Sequence, residues 1–131
     1  MAIVWTGREQ PRITPDRLLG RVRSDGRVYE SYPGPDDYVG RVDPESGKVH
    51  AQRFGPDEYI GRVDLDSGKI WRDVEAGLDE HLGWVNPKGE MRYDVAGWTD
   101  EYIGRIERGA SLAEAGAAFL LLVWPAFAAH Q

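Results

Sequence analysis

The chain of 131 residues contains no cysteine, which excludes disulfide frameworks, thiol nucleophiles and thiolate metal sites together. Positive charge is in short supply: sixteen Lys plus Arg stand against twenty-two Asp plus Glu, a net charge of −6. An acidic balance argues against a nucleic-acid partner, because the phosphate backbone is bound mainly by clustered cations. The three histidines, His50, His81 and His130, show no metal-ligand spacing such as i, i+4 on one helix. There is no Gly-x-Ser-x-Gly nucleophile elbow, and Ser46-Gly47-Lys48 and Ser67-Gly68-Lys69 carry phosphate-loop residue types in the wrong order. With no convergent nucleophile, base or metal set, no catalytic residue, metal or cofactor is expected. The N-terminal Met1-Ala2-Ile3-Val4-Trp5-Thr6 lacks the basic start and long apolar core of a secretory signal, so the expected location is cytoplasmic.

Long apolar runs are absent except at one place. From Ala110 to Gln131 the only charged residue is Glu114, and Ala115 to Ala129 is an unbroken run of 15 apolar, Gly and Pro residues. A bilayer-spanning helix wants about 20, and a run of 10–14 is more often buried. Ser111 with Glu114 three residues later has capping-box spacing. The expectation is a C-terminal helix, apolar all round, that Pro125 ends or kinks. A tail that enters or lies on a membrane is the alternative, permitted by Phe119 and Trp124.

What the chain has in abundance is glycine, sixteen in all, and the glycines are periodic. Gly26, Gly47, Gly68 and Gly89 stand 21 residues apart, each opening a similar unit, and a degenerate fifth copy spans Ile3-Val4-Trp5 and Leu18-Leu19-Gly20-Arg21-Val22. Each unit holds two short segments of alternating, β-branched and aromatic residues, of the type Lys48-Val49-His50-Ala51 and Tyr59-Ile60-Gly61-Arg62-Val63, which read as strands. Turn residues join them, as in Asp43-Pro44-Glu45-Ser46-Gly47 and Asn86-Pro87-Lys88-Gly89, giving hairpins that pair Val42 with Val49, Val63 with Ile70 and Val85 with Met91. Two strands cannot bury an apolar face alone and an open array exposes its edges, so a closed ring of ten antiparallel strands follows. The fold class expected is all-β with a C-terminal apolar α-helix: residues 1–109 as five hairpin petals of about 21 residues in one pseudo-symmetric barrel, and residues 110–131 packing at its centre. Gly20, Gly40, Gly61, Gly83 and Gly104 fall mid-strand, where glycine marks a bend or the close approach of another backbone, and five at matching positions point to something packed tightly at the centre of the ring.

This pattern resembles the bacterial five-fold β-flower proteins, on Ile60-Gly61-Arg62-Val63 and its four counterparts, and on Ile103-Gly104-Arg105-Ile106 leading through Gly109 into Ala117-Ala118-Phe119-Leu120. The resemblance implies a shallow barrel of hairpin petals around a hydrophobic channel and brings no activity or catalytic residues with it. The Pro/Gly/Asp-containing petal loops are longer than that pattern. A linear MORN array is the rival, but it lacks its paired glycines here and would need no plug. A propeller blade needs about 40 residues.

Two constellations remain. Asp36-Asp37, Asp57-Glu58, Asp79-Glu80 and Asp100-Glu101 each precede a second strand, and Arg21, Arg41, Arg62 and Arg105 follow its glycine, with Trp84 as the exception. Strict alternation would put Ile60 with Arg62 on one strand face and Tyr59, Gly61 and Val63 on the other. A ring of Arg21, Arg41, Arg62 and Arg105 could hold an anion or a lipid head group. Salt bridges to the neighbouring acid pairs explain the same pattern without a ligand. Tyr38, Tyr59, His81 and Tyr102 open the second strands as an aromatic row that reads as packing, with the Phe54 and Trp98 loops a weaker case for sugar binding. Asp64-Leu65-Asp66-Ser67-Gly68 echoes a calcium loop but lacks the distal glutamate. The expected function is a non-enzymatic structural or binding module, holding an apolar ligand at the barrel centre or an unidentified protein partner. The alternative is a membrane-associated protein anchored by its tail.

Overall fold

Each hairpin is set by its turn. Asp43 O accepts the Gly47 N–H at 2.8 Å, Asp43 N–H donates to Lys48 O at 2.9 Å, and the same two bonds recur between Asp64, Gly68 and Lys69. Gly47 and Gly68 take the positive φ that closes such a loop, 76° and 80°. The computed structural model describes residues 1–7, 17–31, 35–74, 78–94 and 100–129; the Trp98 and His130 expectations lie outside them.

The strands are β1 (Ala2–Thr6), β2 (Arg17–Val22), β3 (Arg27–Glu30), β4 (Asp37–Val42), β5 (Lys48–Ala51), β6 (Glu58–Val63), β7 (Lys69–Asp73), β8 (Asp79–Val85), β9 (Glu90–Tyr93) and β10 (Glu101–Ile106). They form one closed antiparallel barrel in sequence order, with β1 against β10 closing the ring through Val4 opposite Ile106. The expected pairings of Val42 with Val49, Val63 with Ile70 and Val85 with Met91 are all present. These residues, with Val4, Val22, Val28 and Ile106, are buried and line the interior.

The alternation expected along the second strands does not hold. In β6, Val49 faces Gly61 while His50 faces Tyr59, so Ile60 is an extra residue bulged out of the pairing. Leu19, Val39, Leu82 and Ile103 are skipped in the same way. A bulge shifts side-chain phase by one. Ile60 therefore packs on the core beside Gly61 and Val63, while Tyr59 joins Arg62 on the outer face.

Ten strands enclose more space than wall side chains fill, and the C-terminal helix occupies it. Helix α1 (Leu112–Ala118) starts with the capping box: Glu114 N–H donates to Ser111 Oγ at 3.1 Å and Ser111 N–H to Glu114 Oε1 at 2.8 Å. It continues through a wide turn, Phe119–Val123, in which Trp124 N–H donates to Phe119 O five residues back, and then through α2 (Trp124–Ala128). Pro125 sits in the first turn of α2, where its missing N–H is tolerated, so the helical path continues past it. Ala115, Ala117, Ala118, Phe119, Leu120, Leu122 and Val123 are buried.

The wide turn matches the ring of glycines. A Cβ added at Gly61 would stand 3.0 Å from Leu120 Cδ1, at Gly40 2.8 Å from Leu121 Cδ1, at Gly20 3.1 Å from Leu122 Cδ1 and at Gly104 2.9 Å from Val123 Cγ1. Four consecutive helix residues thus meet β6, β4, β2 and β10 in order around the barrel. An α-helix turns about 100° per residue and would overrun such a sequence; the i→i+5 turn advances less per residue. The carbonyl of the adjoining strand closes the other side of each glycine, as Trp71 O does at Gly61.

Candidate functional site

The core cluster is made of apolar side chains, and no charged side chain is buried among the described residues. Reactive and charged groups lie on the outer wall and in the loops. Arg21, Arg41, Arg62 and Arg105 all stand on that convex wall, opposite in face to the glycines they follow. Arg21 Nε lies 3.5 Å from Asp36, Arg41 Nε 3.4 Å from Asp57 and Arg62 Nε 2.9 Å from Asp79. Each acid belongs to the pair that opens the next second strand, so these contacts tie neighbouring hairpins together. Arg105 lies over the Trp5 ring at 3.8 Å. The four guanidinium groups face outward and are separated by intervening strands.

Tyrosine completes the contact in two places. Tyr38 OH donates to Asp57 Oδ2 at 3.2 Å and Tyr59 OH to Asp79 Oδ2 at 3.3 Å, the same oxygens the arginines approach. Burial, reinforced by the adjacent carboxylate, raises the pKa of both phenols. The aromatic row also packs edge-on across strands: Tyr29 with Tyr38 at 5.9 Å, His50 with Tyr59 at 5.8 Å and Trp71 with His81 at 4.9 Å. Burial holds His50 below the usual imidazole range, with Arg41 adding to the effect. His81 Nδ1 lies 3.2 Å from Asp94.

Trp84, the exception among the arginines, has a structural reason that the linear sequence hides. Its cross-strand partner is Arg92, whereas Arg62 faces Trp71 and Arg41 faces His50. Cation and aromatic have exchanged strands. Asp43 and Asp64, the latter in the calcium-like stretch, spend their carboxylates on their own turns: Oδ1 accepts the Glu45 and Asp66 N–H groups, both at 2.9 Å. These backbone hydrogen bonds lower both pKa values.

Beyond the wall, a cleft of about 580 Å³ opens between the barrel rim, at the start of β2 and the end of β3, and the end of the helix, with Leu18, Leu19, Leu121 and Pro125 among its lining residues. The other side of α2 is occupied, because Trp124 and Phe127 pack on Tyr93 at 5.0 and 5.6 Å. Phe54 and Leu78 project from the β5–β6 and β7–β8 loops fully or largely exposed. No helix of the described residues is long and apolar enough to cross a membrane. No family model matches the chain, and neither a curated protein nor a solved structure matches it.

Proposed function

We propose that the chain is a non-enzymatic binding module: a five-petal, pseudo-symmetric barrel of the β-flower kind, stoppered by its own C-terminal helix and presenting its outer wall and loops to a partner. The observation that carries this reading is the seating of Leu120, Leu121, Leu122 and Val123 on glycines of four different strands. The apolar occupant of the barrel centre is then the chain itself, with the binding surface outside. A cytoplasmic location, expected from the N-terminal residues, belongs to the same proposal, and detection of the full-length protein in a membrane or secreted fraction would contradict it.

Thermal melting and flotation with phosphatidylcholine vesicles test the reading, on the full chain beside a version ending at Gly109. The plug predicts that truncation abolishes the cooperative transition and that the full chain stays out of the lipid fraction. An equally stable truncated form, with a full chain that floats, would show that the tail is an anchor.

A further inference from the structure

The seams between hairpins carry an electrostatic anomaly. Val42 N–H donates to Gly26 O at 3.0 Å, and Val63 N–H to Gly47 O at 2.9 Å. The next residues on each strand, Arg27 opposite Arg41 and Lys48 opposite Arg62, therefore occupy the non-hydrogen-bonded positions, where cross-strand side chains come closest. Like charges directly opposite are destabilising there. The position does not demand a cation, since Glu90 faces Arg105 at the equivalent place and Lys69 faces Trp84. Two adjacent seams of an acidic protein thus place cation against cation.

The surrounding acids engage these cations unevenly: Asp43 interacts with Lys48 and Asp64 with Arg62 without a contact ion pair, and the Arg62 guanidinium also lies over the Trp71 ring at 5.0 Å. Asp57 and Asp79 take one arginine of each pair, through Nε, and no hydrogen bond among the described residues engages the terminal nitrogens of Arg41 or Arg62. Arg27 has only Asp25, at 4.0 Å, and Lys48 makes no ion pair among the described residues. Between the first pair lies an open cleft of about 330 Å³ bounded by Arg27, Tyr29, Tyr38 and Arg41. The His50–Tyr59 pair stands in the same place beside Lys48 and Arg62.

We infer that these two seams, Arg27 with Arg41 and Lys48 with Arg62, are binding sites for a phosphate-type oxyanion. A dianion between the two cations turns a repulsion into two charge-assisted contacts, and the guanidinium fork suits phosphate oxygens. The inference rests on the reading of the chain as a binding module and replaces one ring of arginines with two discrete sites. Phosphate on a soluble ester and phosphate in a lipid head group present the same chemistry.

The test is thermal melting of the full chain in inorganic phosphate against chloride at matched ionic strength. With both seams exposed to ten times the dissociation constant, the melting temperature should rise by about 10 °C, half of it from each site. The Arg27→Gln/Lys48→Gln double variant should melt at or above the wild type in chloride, its repulsion relieved, and should lose the phosphate response. A variant that keeps the response overturns the assignment. In the wild type alone, backbone amide shifts on adding phosphate should centre on the two seams; scattered or absent shifts overturn it without any variant. Vesicles of phosphatidylcholine with phosphatidic acid then separate the sources. Pelleting that the double variant loses assigns the phosphate to a lipid, and a melting response without pelleting assigns it to a soluble ester. The absence of both responses overturns the inference. The barrel plug is judged separately, by truncation and phosphatidylcholine alone.

Discussion

The inside and the outside of this barrel obey different rules. Inside, one contact recurs: a strand glycine held between a neighbouring carbonyl and a helix side chain, at Gly20, Gly40, Gly61 and Gly104. Outside, the equivalent positions vary, so that Arg62 faces Trp71 in one hairpin while Trp84 faces Arg92 in the next. A gap bounded by backbone admits one residue type because the backbone cannot retreat. A wall bounded by water needs only complementary partners, in either order.

Adjacent residues of β6 give the sharpest way to break that comparison. Gly61→Val would drive a branched side chain into Trp71 O and Leu120, and should lower stability by upwards of about 3 kcal/mol, to the point of unfolding. Arg62→Val, one residue on and facing out, gives up the partly exposed Asp79 pair and should lose no more than about 1 kcal/mol. Urea denaturation of both variants measures the contrast; similar losses would mean that the interior is not tightly filled.

A smaller effect tests how firmly the helix is held at its start. Ser111→Ala removes one half of the capping box and should destabilise by about 1 kcal/mol if α1 forms together with the barrel. No change in the urea midpoint would show that α1 frays without consequence.

The outer wall can be sharpened by exchange. Trp84→Arg and Arg92→Trp should each reduce stability by about 0.5–1 kcal/mol, while the double variant should recover only part of the combined loss, because Lys69 faces position 84 from the other side. Additive losses would show that the two side chains hold their places for separate reasons.

These contrasts also explain what the sequence made legible. Period, turn chemistry and β-branched residues are local, and they sufficed for the ten strands, the hairpin registers at Val42, Val63 and Val85, and the cap at Ser111. The bulges at Ile60 and its counterparts were not legible. An alternating pattern assumes unbroken pairing, and the signal of the break, glycine directly after an apolar residue, read equally well as close packing alone. Tyr59 was consequently put on the wrong face. The four arginines are legible as a repeated residue, but their convex placement and their acid partners depend on which strands adjoin. The pairing of Arg27 with Arg41 and of Lys48 with Arg62 has no local signal, because each partner lies 14 residues along the chain. The wide turn at Phe119–Val123 had no local signal except Pro125 beyond it.

The smallest expected effect lies where inside and outside meet, at half-buried His50. Its Nδ1 has no hydrogen-bond partner among the described residues, and burial with Arg41 and Lys48 beside it disfavours the imidazolium, against a weaker opposing pull from Asp57 and Asp43. With a folded pKa below the unfolded value of about 6.5, the unfolded chain takes up this proton first as the pH falls. Stability from this group is therefore full above that value and declines below it. Asp43 and Asp64 act in a lower window: their depressed pKa values contribute stability at neutral pH that is lost only as the solution passes through the carboxylate range. Chemical denaturation at pH 7 and pH 5 should therefore show a smaller acid loss in His50→Gln than in the wild type. The two should lose stability in parallel below about pH 4, where the aspartates dominate. Equal losses between pH 7 and pH 5 would mean that the outer wall accommodates a charged imidazole as readily as water does, and that His50 belongs wholly to the outside.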